Sequence, residues 1–359
     1  MLEQGAPVIV LDVRPEDQRI EWRIPGSVHF DAYEALKAKD PNAMEGIEGV
    51  DLRGELPVVT VCAAGNSSAV AAEQLRERGY KVLTLAGGMK SWSLAWNTAE
   101  VKLPQPETRV LQVRRTGKGC LSYLVGSDEE AAVIDASLDP EVYLGLAEER
   151  GWRITHVLDT HVHADHLSRS RRLAELVGAT LHMPKGAPVS YPFSALGDRD
   201  VLEVGSATLE AVWTPGHTPE STSYLLDGRA LFSGDTLFVS AVGRPDLHST
   251  PEGSREKARE LYRSLQRLLA LGPETLVLPG HTSEPVAFDG EPICAPLSEV
   301  HESVWVLREA PDAFVEEITS HVSPTPSNFE RIAELNRAGE APEGDTTELE
   351  AGANRCAAG

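Results

Sequence analysis

The segment Thr160-His161-Val162-His163-Ala164-Asp165-His166 directly follows an apolar run, Ile154-Thr155-His156-Val157-Leu158, that reads as a buried strand. Three further apolar runs end in the same way. Val212-Trp213-Thr214-Pro215-Gly216 leads to His217, Ala230-Leu231-Phe232-Ser233-Gly234 to Asp235, and Leu276-Val277-Leu278-Pro279-Gly280 to His281. A chain with ligand-type residues at four strand ends can fold so that those ends meet at one edge of a sheet system, the glycines allowing tight turns. Imidazole plus carboxylate, with no cysteine among the seven positions, suits Zn, Fe or Mn. His29, His156, His182, His248, His301 and His321 lack such a setting and read as ordinary surface or core residues. Cys120, Cys294 and Cys356 have no metal-spaced partner in sequence and read as structural. Trp92 and Trp213 read as core aromatics.

A chain of 359 residues accommodates two domains, each with its own core. In the first hundred residues, Val8-Ile9-Val10-Leu11, Val58-Val59-Thr60-Val61 and Lys81-Val82-Leu83-Thr84-Leu85 read as strands. An Ala- and Glu-rich helix over 67–78 closes at Gly79. Cys62 ends the second strand, and its short loop aims backbone N–H groups and a helix N-terminus at the sulfur. After Trp96 the periodicity stops, and Leu103-Pro104-Gln105-Pro106-Glu107 reads as a stiff linker. These features divide the chain into 1–100, a linker at 101–107, a metal domain over 108–300 and an extension over 301–359. That extension holds 12 acidic and 4 basic residues, which predicts a solvated tail.

The net charge of −22 speaks against nucleic acid, whose phosphates need a basic face, and against anionic membranes. No apolar run reaches the roughly 20 residues of a membrane span. The N-terminus shows no secretory pattern, little chain precedes the first strand, and four scattered cysteines build no disulfide framework. The expectation is a cytoplasmic protein acting on a small molecule. The sequence leaves oligomeric state open, a homodimer included.

The order of motifs in the first hundred residues resembles a rhodanese-like domain: Leu11-Asp12-Val13-Arg14, Ile24-Pro25-Gly26-Ser27, the Cys62 loop, Leu85-Ala86-Gly87-Gly88 and Trp92. The resemblance implies sulfane-sulfur transfer on Cys62. The loop carries Ala63, Ala64, Asn66 and Ser67 where many members carry arginine, which counts against thiosulfate as donor. The second half resembles the metallo-β-lactamase superfamily, which implies an αββα sandwich with metal at the strand edge. The implied fold class is α/β throughout: a rhodanese-like domain, the sandwich, and a short helical or irregular tail.

Within that superfamily the chain resembles the persulfide dioxygenase (ethylmalonic encephalopathy protein) family. Gly243-Arg244-Pro245-Asp246 matches its Gly-Arg-x-Asp motif, and Pro326-Ser327-Asn328-Phe329 with Asn354-Arg355-Cys356 matches its ending. Ser283 stands where many relatives have Tyr. This resemblance implies one Fe(II) per chain held by His161, His217 and Asp235. It leaves His163, Asp165, His166 and His281 as outer support or as ligands of a second metal, and places Arg244 at the substrate. Its substrates would be O2 and a low-molecular-weight persulfide such as glutathione persulfide. The alternative is a glyoxalase II-like hydroxyacylglutathione hydrolase with two zinc ions and a non-catalytic rhodanese-like docking domain. Against it stand the acidic, Tyr-free 78 residues after His281.

Overall fold

The computed structural model describes all residues except 1–6, 51, 53–55, 105–106, 248, 283, 321–324, 326–327, 341, 343, 353 and 359. His248, Ser283, His321, Pro326 and Ser327, singled out above, therefore lie outside the described residues.

In the first domain Val28–His29, Ile9–Asp12, Val58–Val61 and Val82–Thr84 form a parallel four-stranded sheet in that order. One face packs the helix Asn66–Glu77 through Ala71, Ala72 and Leu75, all fully buried. Arg14 and Asp12 form a buried fork with a shortest separation of 2.7 Å, and the arginine also reaches the Trp22 carbonyl.

The second domain is a sandwich of two sheets. The seven-stranded sheet runs Ser194–Leu196, Thr180–Pro184, Arg153–Leu158, Glu130–Ile134, Cys120–Ser127, Thr108–Arg115 and Asn97–Val101. The six-stranded sheet runs Val201–Val204, Ala207–Trp213, Thr222–Leu226, Ala230–Gly234, Leu276–Pro279 and Ala295–Pro296. Val110, Leu121, Tyr123, Leu209, Tyr224 and Phe232 fill the space between the sheets. Helices Pro140–Glu148 and Ser170–Val177 cover one outer face, and Pro251–Leu269 with Pro311–Ser320 covers the other. The α/β class, rhodanese-like domain followed by metallo-β-lactamase fold, is as the sequence implied. The edge strand Asn97–Val101 begins inside the segment assigned above to the first domain. It pairs residue for residue with Arg114 to Val110, so the metal domain starts before the Pro-containing linker.

The extension departs from the solvated tail its charge predicts. Its acidic residues are mostly exposed, but Glu350 is buried. The carboxylate takes Arg169 at 3.0 Å, Arg115 at 3.3 Å and the Leu167 backbone N–H at 2.8 Å. Ala357–Ala358 then adds a short antiparallel strand to Val242–Gly243. Net charge over a segment says nothing about which single acid is paired inside. No helix of the described residues is long and apolar enough to cross a membrane.

Burial pushes the Glu350 carboxyl up, but Arg115 and Arg169 outweigh it and hold it at about 2, below the ordinary 4.5. A depressed carboxylate stabilises the fold fully above its unfolded value and loses that contribution as pH falls toward about 2. Glu350→Gln, which leaves two arginines uncompensated, should cost about 3–5 kcal/mol. The cost reads out as a lower urea midpoint at neutral pH, and the gap to wild type should shrink in acid.

Candidate metal centre

Strand direction assembles the site. Arg153–Leu158 and Glu130–Ile134 run parallel and end side by side, delivering Asp159 to His166 and Asp135 to one edge. Ala230–Gly234 and Leu276–Pro279 are likewise parallel, and deliver Asp235 and His281. Gly280 has to be glycine, because a Cβ there would stand 2.8 Å from Asp235 Oδ1. Gly216 holds φ at 139° ahead of His217, with Leu261 packed where a side chain would go.

Hydrogen bonds fix which atom each side chain presents. The Thr160 hydroxyl donates to Asp135 Oδ2 at 2.9 Å, so it accepts from His161 Nδ1, also at 2.9 Å. His217 Nδ1 donates to the Arg244 carbonyl at 2.9 Å. Both imidazoles are thus left with a lone pair on Nε2, and these atoms lie 3.9 and 3.7 Å from Asp235 Oδ2. That oxygen has no hydrogen-bond partner, while Oδ1 is taken by His281 Nδ1 at 2.5 Å. His163 turns Nε2 to Asp135 Oδ1 at 3.1 Å and leaves Nδ1 without a partner. Asp165 lies 3.0 Å from His166 Nδ1 through one oxygen and 2.8 Å from His281 Nε2 through the other.

Three buried atoms of this cluster, His163 Nδ1, His166 Nε2 and Asp235 Oδ2, lack hydrogen-bond partners, and His281 Nε2 faces Asp165 at 2.8 Å without a well-aligned bond. A buried polar atom left so costs about 1–3 kcal/mol. Three in one cluster are accounted for if cations supply the missing partners. Among the described residues the donors gather into four groups: His161 with His217 and Asp235, Asp165 with His166, His281 and Cys120, Asp235 with His281 and Cys356, and Asp135 with Asp159 and His163. Mixed nitrogen and oxygen donors with outer carboxylates behind the histidines fit a divalent metal.

The electrostatics agree. Burial, reinforced by His163, pushes His161 well below its ordinary value, and burial lowers His217, so both stand neutral as ligands must. Burial raises Asp235, but His281, His161 and His217 outweigh it and keep it ionised. Burial lowers His166, yet Asp165 overrides it and raises the imidazole to about 10. His281 is raised for the same reason by Asp165 and Asp235.

The structure thus brings all seven sequence-predicted positions together and leaves Cys62 and the Arg244 guanidinium out of the donor groups. Arg244 is buried, pairs with Asp246 at 2.7 Å, donates to the Arg355 carbonyl, and serves His217 through its own carbonyl. Cys62 sits in the first domain, 2% exposed, its sulfur accepting the Gly65 N–H at 3.1 Å. Trp92 is a core residue as expected, whereas Trp213 is 48% exposed.

Sequence reasoning missed several participants. Cys120 and Cys356, taken as structural, each lie with metal-type donors. Asn336 donates to the carbonyls of both His163 and His166 at 2.8 Å and accepts the Ser168 N–H, clamping the ligand loop from the extension. Asn354 donates to Asp165 at 3.1 Å. No spacing rule links residues some 170 positions apart, so nothing in the sequence singled out Asn336, and Asn354 stood out only as part of the Asn354-Arg355-Cys356 ending.

Asn336→Ala should weaken metal binding by about 10–100-fold, the usual cost of losing outer support, as read by competition with a chromophoric chelator. Metal must displace the protons that His166 and His281 hold in the free protein. Affinity should therefore fall as pH is lowered, and calorimetry in buffers of different ionisation enthalpy should show proton release.

Residues 115–281 match the family model of the metallo-beta-lactamase superfamily, and residues 1–95 match that of the rhodanese-like domain. The hydroxyacylglutathione hydrolase of Methylococcus capsulatus is 37% identical over 202 residues, 54% of this chain and 75% of its own length. That of Rhizobium johnstonii is 37% identical over 153 residues, 42% of this chain. The chain spans only 56% of the length of that relative. Among solved structures, ETHE1 from Myxococcus xanthus matches with a TM-score of 0.55 and 29% identity, over 68% of this chain and 99% of its own. These relatives correct the functional expectation. Curated proteins at 35–38% identity are named hydroxyacylglutathione hydrolase, which overturns the persulfide dioxygenase reading in favour of its hydrolase alternative. The Gly243-Arg244-Pro245-Asp246 match was one support of the first reading, and the structure pairs that buried arginine with half-buried Asp246. The chain belongs to the metallo-β-lactamase superfamily, with a rhodanese-like domain ahead of its metal domain.

Proposed function

We propose that the metal domain is a glyoxalase II-like hydrolase that cleaves the thioester of a hydroxyacylglutathione. The observation that carries this reading is that two of the donor groups, His161 with His217 and Asp235 and Asp165 with His166, His281 and Cys120, lie adjacent and are joined through the Asp235–His281 bond. Two-metal hydrolysis needs such a pair, and the curated relatives bear that activity in their names. Zinc is the proposed metal for both positions, from the borderline N, O and S donors and from the same relatives.

Bound metal would supply Lewis-acid polarisation of the thioester carbonyl and activation of water at neutral pH. The chain itself does the rest. Thr160 and Asp135 hold His161 and His163 in fixed orientation, and the Arg244 carbonyl does the same for His217. Asp235, buried and ionised, carries the negative charge that a dication needs in a site closed to bulk water. The first domain serves as a non-catalytic docking module in this reading, supported by the burial of Cys62 and the absence of arginine from its loop. Water and a small-molecule thioester are the substrates, and no nucleic acid or membrane is involved.

Zinc-loaded protein should hold two metal ions per chain and hydrolyse a hydroxyacylglutathione without consuming O2. Chelation should abolish turnover and zinc should restore it. One metal per chain with no thioester cleavage would sink the proposal. Cys62→Ser should leave turnover unchanged. Mass spectrometry after exposure to a sulfane donor should show no added sulfur on Cys62, and a gain of about 32 Da would assign it the transfer chemistry instead.

A further inference from the structure

We propose that Cys120 is a metal ligand, its thiolate completing a four-donor site with Asp165, His166 and His281. The inference rests on the two-metal reading only in taking the Asp165 group to hold a cation. Cys120 opens the strand Cys120–Ser127, which runs antiparallel to Glu130–Ile134 and so begins at the edge where its neighbour ends. A backbone bridge pairs Cys120 with His281, and the Leu121 N–H donates to the Gly280 carbonyl at 2.8 Å. The thiol is thereby fixed against the last ligand of the opposite sheet.

The distances are those of a coordination polyhedron. Cys120 Sγ lies 3.5 Å from Asp165 Oδ2 and 3.8 Å from His166 Nδ1, and one donor atom from each of the four residues falls within 4.8 Å of the others. For zinc in a tetrahedron, bonds of about 2.3 Å to sulfur and about 2.0 Å to nitrogen or oxygen put sulfur about 3.6 Å from its neighbours. All four side chains are buried.

Charge points the same way. Cys120 thiolate and Asp165 carboxylate neutralise a dication exactly where water cannot, whereas Asp165 alone would leave a net positive charge buried. The neighbouring group of His161, His217 and Asp235 has three donors and one negative charge. The four-donor group would hold its cation firmly, while the three-donor group keeps a position for substrate or water.

Cobalt substitution of the full-length protein tests this directly. Wild type should show a near-ultraviolet sulfur-to-cobalt charge-transfer band, lost in Cys120→Ser and retained in Cys356→Ser and Cys62→Ser. If Cys120→Ser does not fold, zinc-edge absorption fine structure on wild type decides, with a sulfur scatterer expected at about 2.3 Å. Two cobalt ions per chain with no such band, or a band that survives Cys120→Ser, overturns the inference while leaving the two-metal reading intact. A single cobalt per chain with a Cys120-dependent band supports the ligand and overturns the two-metal reading instead.

Discussion

The bond between Asp235 and His281 is the contact on which the centre depends. Both residues follow parallel neighbours in the six-stranded sheet, and each has a second face turned to a different donor group. Asp235 presents Oδ2 to His161 and His217, and His281 presents Nε2 to Asp165. Substituting either residue perturbs both groups at once, since the partner would be left buried and unpaired. Gly280 is what lets the two come this close, its missing Cβ being the space that Asp235 occupies.

The extension is as much a part of the centre as the ligands. Glu350 locks it to Arg115 and Arg169, and from that anchor Asn336 grips the loop carrying His163 and His166. Asn354 reaches Asp165, and the final strand pairs beside Arg244, whose carbonyl orients His217. The metal loop has few regular hydrogen bonds of its own, so side chains from distant sequence stand in for them.

Much of this was legible in the sequence because local patterns carried it. Strand-end motifs marked all seven positions that meet at the sheet edge, and apolar runs with their glycines outlined both domains. What stayed hidden depends on chain reversal or on long-range pairing. Cys120 lies at the start of a strand, and only the antiparallel turn into Glu130–Ile134 carries that start to the ligand edge. Asn336 and Glu350 act across more than 160 residues, in a segment whose acidity spoke for solvent. Arg244 matched a motif, but a motif gives no burial, and its guanidinium points into a carboxylate rather than a cavity. The branch of the superfamily was the least legible, because one fold hosts many chemistries and strand-end motifs mark the fold's metal edge rather than the reaction.

The joint between the domains carries its own consequence. Gly117 lies three residues before Cys120, and a Cβ there would stand 1.6 Å from the Trp92 carbonyl. Its N–H donates to Ala95, its carbonyl accepts the Trp22 indole, and Arg115 donates to Ser93. The rhodanese-like domain is thus seated against the turn that delivers Cys120 to the metal edge. Cutting the chain at its Pro-containing linker would take away strand Asn97–Val101 and the surface on which that turn rests. The contacts between the two domains therefore gather at the turn that precedes the first residue of the strand Cys120–Ser127.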